Sequence, residues 1–363
     1  MRIKLPISLS AMLLVAASVT SAQTLPRFQA TVVGPASFSP SCFVTRISDS
    51  GIMAGQCDPF GKYAGGVAVW RNGVATSFGK LPKGQYAEAR AINSFGVATG
   101  DADLGDSRPH AFVTYKGALL QMKEGGVNDR AIGISDTGVI FGNVVKGFDG
   151  IWTPVFWAAD AAKPDRYRMT PLPFFNDGGN PASYGAYLLA SNKGGQAVGW
   201  IDGSVIGQWG GFWNNDVAHT VAPLAPLPNA YHAIALGLND IGQAVGYSST
   251  PSFAEHAVLW QNDAAHTIVD LGVLPGDAAS NAGLINNAGQ IVGSSSASST
   301  PGSQYRVFFY QNGTMSDLTS LIDTSNGAWE IQSVMSLNNA GQMVAVGLHD
   351  GQLVQNIILT PIQ

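Results

Sequence analysis

The sequence predicts an all-β fold, a seven-bladed β-propeller of four-stranded antiparallel blades closed by an N-terminal strand that completes the last blade. Three observations predict it. A bent nonapeptide recurs seven times at a spacing typical of propeller blades. Each period reads as four short strands, and no window holds a helical period. The last period stops after its third strand, while a spare strand precedes the first.

The nonapeptide is clearest as INNAGQIVG at 285–293. Its relatives are ISDSGIMAG, INSFGVATG, ISDTGVIFG, SNKGGQAVG, LNDIGQAVG and LNNAGQMVA. Aligned on Ile47, Ile92, Ile134, Ser191, Leu238, Ile285 and Leu337, the copies lie 45, 42, 57, 47, 47 and 52 residues apart. Their turns fall at 47–51, 92–96, 134–138, 191–195, 238–242, 285–289 and 337–341. Six or eight blades is the alternative if one divergent copy is miscounted.

Within a period, the first strand alternates small with larger residues, as in Ala89-Arg90-Ala91-Ile92. Small residues suit inner strands that converge on an axis. Asn or Ser then opens a turn that a left-handed Gly closes. The second strand ends in another Gly: Gly55, Gly100, Gly142, Gly199, Gly246 and Gly293, with Ala345 in the last copy. The third strand is apolar and ends in Trp70, Tyr115, Trp157, Trp213, Trp260 or Tyr310. Recurrence at one strand position marks these rings as packing between blades. A tight polar turn and a fourth strand, as in HTIVDLG, close the period.

The two ends complement each other. The seventh copy runs out in QNIILTPIQ, and Phe28–Val33 (FQATVV) has no blade of its own. Val32 precedes Ile47 by 15 residues, as Asp270 precedes Ile285. The spare strand therefore belongs beside the last one, which buries edges that an open array would expose.

Cys42 and Cys57, the only cysteines, flank the first turn. A two-residue turn sets them opposite each other, whereas a bulged three-residue turn points them to different faces. The pair is thus a candidate structural disulfide whose formation depends on register.

Residues 1–22 read as a secretory signal: Arg2 and Lys4, then MLLVAA at 12–17, then Thr20-Ser21-Ala22 before the cut. The expectation is one exported propeller domain at 23–363, periplasmic or extracellular, with no membrane span. Loss of the signal leaves 17 basic and 24 acidic residues, a net charge of −7. That argues against a nucleic-acid partner, which needs a basic footprint.

The strands His110-Ala111-Phe112 and His256-Ala257-Val258-Leu259-Trp260, with DLGVLPGDAAS at 270–280 and INNAGQIVG, resemble the HAF-type extracellular repeat family. The likeness is strongest at 230–320, and its period covers nearly the whole mature chain. It implies secretion and a repeat architecture, and no activity. Blades 1, 3 and 4 lack the His, so it is not a ligand needed in every blade; at the start of a strand it reads as a cap.

No zinc helix, nucleophile elbow, P-loop or dinucleotide fingerprint is present. Asp101, Asp103 and Asp106 in DADLGD miss the calcium-loop pattern and read as solvated acids. No metal and no cofactor is expected.

Loop lengths point to a working face. The loops after second and fourth strands share one face and are long and variable, including QCDPFGKYAG, DADLGDSRP, NVVKGFDGIWT and IDGSVIGQWG. Those entering the inner strands reach the channel mouth. They carry Tyr86, Glu88, Asp129, Arg130, Phe174, Phe175, Asp177, Tyr184, Tyr231, His232, Trp329 and Glu330. Aromatic rings among acids can stack on sugars, and rings with an Arg can hold a peptide. The leading expectation is a secreted, non-catalytic binding module for a glycan or protein. The alternative is an extracellular polysaccharide hydrolase or lyase using Asp129, Asp177 or Glu330 with His232. A purely structural matrix component is the third class.

Overall fold

The computed structural model describes residues 25–33, 42–57, 65–123, 126–145, 151–179, 185–203, 205–298, 300 and 302–362. The proposed signal and Tyr184 lie outside them. Seven four-stranded antiparallel sheets form a seven-bladed propeller. Blade 1 comprises Cys42–Ile47, Met53–Cys57, Gly66–Arg71 and Val74–Gly79, from axis to rim. Blade 2 comprises Ala87–Ile92, Ala98–Ala102, His110–Tyr115 and Ala118–Gln121. Blade 3 comprises Asn128–Ile134, Ile140–Val145, Trp152–Asp160 and Lys163–Pro171. Blade 4 comprises Gly185–Ser191, Ala197–Gly203, Gly207–Trp213 and Val221–Leu224. Blade 5 comprises Ala233–Leu238, Ala244–Ser249, Glu255–Trp260 and Ile268–Gly272. Blade 6 comprises Ala279–Ile285, Ile291–Ser296, Tyr305–Gln311 and Thr314–Asp317. Blade 7 takes Trp329–Leu337, Met343–His349 and Gln352–Ile362 from the C-terminal end, and Arg27–Val32 from the N-terminal end.

That last pairing closes the ring. Phe28 stands opposite Pro361 and Val32 opposite Ile357, and the Val33 N–H reaches the Asn356 carbonyl at 2.9 Å. Phe28 is fully buried and meets Phe309 of blade 6 edge-on at 5.2 Å.

The core is distributed as seven apolar clusters, one at each joint between blades. Ala89, Ala131, Ala235 and Ala282 are fully buried on inner strands, where the converging blades leave room for a methyl group and little more. Trp157, Trp213 and Trp260 are fully buried at the same joints. Trp213 and Trp260 also donate their indole N–H to the linker behind the preceding blade, at Pro173 (3.0 Å) and Ala225 (2.9 Å). Tyr115 and Tyr310, which end the same strand, are half-buried.

The second-strand Gly does not end its strand; it sits inside it. Every inner strand carries a β-bulge, as between Ala235 and Gly237. The bulge leans a carbonyl over the facing strand. A Cβ at Gly246 would lie far inside contact distance of the Ile234 carbonyl oxygen. Blade 7 has two bulges, Ile331/Ser333 and Val334/Ser336. There Gly347 takes the crowded place, under Glu330, which frees position 345 for Ala.

The bulge also decides the cysteines. The connection from Ile47 to Met53 has an odd number of residues, but the bulge between Val44 and Arg46 restores the lost step. Cys42 and Cys57 then stand directly opposite and form a disulfide, with Cα atoms 4.1 Å apart.

The turn Asn fastens neighbouring blades together. In Asn239 the side-chain oxygen accepts the Gln243 N–H at 2.8 Å. Its amide donates to Gln243 Oε1 at 2.9 Å and to the Asn286 carbonyl of the next blade at 3.1 Å. Asn93, Asn192, Asn286 and Asn338 donate to the following blade in the same way.

Two loop assignments change. IDGSVIGQWG is mostly strand around a tight turn, so the variable face is short at blade 4. The insertion AADAAKPD extends a hairpin of two nine-residue strands in blade 3.

Candidate functional site

Inner strands alternate between the joint and the axis. Residues three before the leading turn residue (Val44, Ala89, Ala131, Leu188, Ala235, Ala282) are buried in the joints. Those four before it (Phe43, Glu88, Arg130, Tyr187, Ile234, Asn281) turn to the other face and are only half-buried, and Arg130 and Tyr187 among them line the channel. The central cavity measures about 450 Å³.

At the turn end, side chains bridge the axis. Lys193 of blade 4 binds Asp49 of blade 1 and lies 3.9 Å from Asp240 of blade 5. The Asn339 amide donates to Asp49 at 2.7 Å and to Asp240 at 3.0 Å. Backbone N–H groups continue the circuit, with Asp240 donating to Asn287 at 2.8 Å and Asn287 to Asn339 at 2.8 Å. Burial raises the Asp49 carboxyl's pKa, but hydrogen bonds from Lys193 and Asn339 outweigh it and hold the carboxyl below its usual range.

Away from the turns the channel wall is cationic and aromatic. Arg46, one residue before the blade 1 turn, then Arg90, then Arg130 with Tyr187 line the same cavity. Arg90 is bound by buried Asp101 and by Glu88, the latter at 2.9 Å. Burial works against its charge, but the Asp101 hydrogen bond and the charges of Asp101 and Glu88 together outweigh it, so its pKa is raised. Arg46 donates to the carbonyls of Thr45 (2.8 Å), Met335 (3.2 Å) and Arg90. Burial lowers its pKa. Arg130 lies 5.9 Å from the Trp152 ring, and its buried Nε has no hydrogen-bond partner. Trp152 meets Tyr187 edge-on at 5.4 Å, and Tyr187 stacks with Trp200 at 6.1 Å. Burial, then Asp101 and Asp103, push the Tyr86 phenol up, while Arg130 and Arg90 oppose them.

The structure brings Tyr86, Glu88 and Arg130 together here and disperses the other candidates. Asp129 is buried between blades 2 and 3, accepting the Ala111 N–H with His110 3.9 Å away. Burial pushes its pKa up to about 6 against the pull of Ala111 and His110. In blade 6, Ser280 accepts the Ala257 N–H in the same role. Asp177 holds the blade 4 hairpin turn through the Val205 N–H at 2.7 Å. Phe174 and Phe175 pack against the joint of blades 3 and 4. Trp329 is buried and stacked on His349 at 4.1 Å. Glu330 is exposed on blade 7.

A smaller aromatic ledge stands on blade 5. Tyr231, 61% exposed, stacks with Phe253, 71% exposed, at 5.1 Å. Beside it His232 lies 3.6 Å from Glu255. The two third-strand histidines are tied locally, His110 to Asp106 and His256 to Asp270, each at 3.0 Å. Of the acids in DADLGD, Asp101 is thus spent on Arg90 and Asp106 on His110. Asp103 accepts the N–H groups of Gln85, Tyr86 and Gly105. Among the described residues no three His, Cys, Asp or Glu side chains are placed to hold a metal ion.

Arg90, Trp152, Tyr187 and Trp200 were not among the sequence candidates. Arg90 and Tyr187 belong to inner strands, where the notable pattern was the small residues. The signal for Tyr187 was its place four before Ser191, matching Arg130 before Ile134.

No family model matches the chain, and no curated protein matches it in sequence. Among solved structures it is similar to the β-propeller domain of the trilobed protease of Pyrococcus furiosus. The TM-score is 0.54 at 9% identity, over 88% of this chain and 95% of that one. That domain is described as having an open velcro topology, whereas here the N-terminal strand closes blade 7. A Xanthomonas campestris gluconolactonase matches at TM-score 0.38, with 12% identity over 93% of this chain and 95% of that one. The Aleuria aurantia lectin matches at 0.36, with 10% identity over 77% and 96%. The likeness to the first shows the propeller fold alone, and the other two carry no argument for this chain.

Proposed function

We propose that the chain is an exported, non-catalytic binding module of the HAF-repeat type whose ligand, a glycan, docks at the Arg130–Tyr187 end of the channel. One observation carries this reading. Arg90, Arg130 and Tyr187 line a concave cavity, and behind them half-buried Trp152 and Trp200 pack on Tyr187 and Arg130 while Glu88 and Asp101 bind Arg90. Aromatic faces stack on sugar C–H groups while charged groups bond hydroxyls. A cavity of about 450 Å³ falls within the small-ligand range, roughly 300–1,000 Å³. A protein partner would instead cover about 800 Å² of surface.

The hydrolase or lyase alternative draws no support. Asp129, Asp177, Glu330 and His232 stand on four different blades or linkers, and Asp129 and Asp177 are spent on backbone N–H groups. Glu88 and Asp101 share Arg90, so they do not flank an open gap as paired glycosidase carboxylates do.

The test is a screen against neutral and acidic glycans, comparing the mature chain with the double variant Trp152→Ala, Tyr187→Ala. Binding by the mature chain should fall at least tenfold in the variant while its melting behaviour stays cooperative. An empty screen, or binding indifferent to both rings, would count against the proposal.

A further inference from the structure

Resting on the glycan reading, we infer that the ligand is an acidic sugar whose carboxylate enters the channel between Arg46, Arg90 and Arg130. The charge balance leads there. Three guanidinium groups line the cavity, and the two carboxylates that bind any of them, Glu88 and Asp101, are both on Arg90. Arg46 is held by main-chain carbonyls, which orient it without neutralising it. Arg130 has neither an ion pair nor a hydrogen bond among the described residues, yet its Nε is shut away from solvent.

A buried, unsatisfied guanidinium N–H is costly, and such a group in a native fold calls for a partner. A carboxylate fits, since its two oxygens accept parallel N–H bonds from one planar fork. The wall supplies none for Arg130. Asp129, next in sequence, turns away to Ala111, and Asp103 is occupied by three backbone N–H groups. At the far end, Lys193 is already matched by Asp49 and Asp240, so the two ends differ in what they lack. A ring stacked on Trp152 or Tyr187 places a sugar beside Arg130, within reach of its exocyclic carboxylate.

The test is calorimetry with tetragalacturonate and with the same tetrasaccharide fully methyl-esterified. The ester keeps the rings and hydroxyls and removes the charge. The mature chain should bind the free acid at least tenfold more tightly than the ester, with affinity falling as salt rises. Arg130→Gln, which gives up the Trp152 contact but no hydrogen bond or ion pair of the fold, should lose about tenfold for the acid and clearly less for the ester. Equal binding of acid and ester would overturn this inference and leave glycan binding standing. Binding of neither would overturn both. An Arg130→Gln variant that binds the acid as tightly as the parent, with an unchanged melting temperature, would also overturn it.

Discussion

A carboxylate at 129 looks like chemistry in a sequence and turns out to hold the fold together. Asp129 spends one oxygen on the Ala111 N–H and sits in a joint where burial lifts its pKa from 3.8 to about 6. The folded chain therefore binds this proton more tightly than the unfolded chain does. Its contribution to stability is full below about pH 3.8 and is lost as pH rises through about 6, a swing of about 3 kcal/mol. Asp129→Asn keeps an acceptor for Ala111 and removes the titration. Relative to the parent, the variant should gain about 1–3 kcal/mol between pH 4 and pH 8 in denaturant unfolding. A difference that stays flat over that range would refute the role given to burial. At this scale the third-strand aromatics were legible, because one type recurs at one strand position. Trp329, Asp129 and Asp177 were not, because a ring or carboxylate beside a strand reads the same whether it faces solvent or a joint.

Turns and strands were legible where local chemistry alone sets them. Asn-x-x-Gly announces its turn through the left-handed Gly, as at Gly242 (φ 81°). The Gln that follows has a partner only a structure names: Gln243 accepts from the Asn239 amide, which also reaches the next blade. The recurring second-strand Gly marks a bulge on the facing strand, and the bulge also aligns Cys42 with Cys57. Period-2 reasoning carries no bulge, so register stayed open until the pairing was seen. Gly246→Ala should cost more than about 3 kcal/mol, because its Cβ meets main chain that cannot swing aside. Gly283→Ala, with nothing within 4 Å of its Cβ, should change stability by less than about 1 kcal/mol. Melting curves of the pair check this. Equal costs would mean that crowding by the Ile234 carbonyl is not why the glycine recurs.

At the scale of the whole molecule, repetition made the ring and its closure legible from sequence. Each joint is built from two neighbouring blades, so no blade completes a core alone. Phe28–Val33 supplies the strand that the C-terminal blade lacks. What breaks the repeat was harder to read. Lys193, Arg46, Arg90, Arg130 and Tyr187 occupy repeat positions where other blades carry different residues, and they meet only because the ring gathers seven strands on one axis. Loop length misled at blade 4, where residues counted as loop continue the strands.

The central functional claim is that ligand enters at the Arg130–Tyr187 end of a channel bridged at its other end by Lys193. Amide hydrogen exchange of residues 23–363 with and without tetragalacturonate tests it most directly. Added protection should concentrate at 86–90, 128–132, 152–156 and 185–189, and leave the turns at 48–51, 193–195, 240–242 and 339–341 unchanged. Protection confined to those turns or to the outer strands would contradict the account.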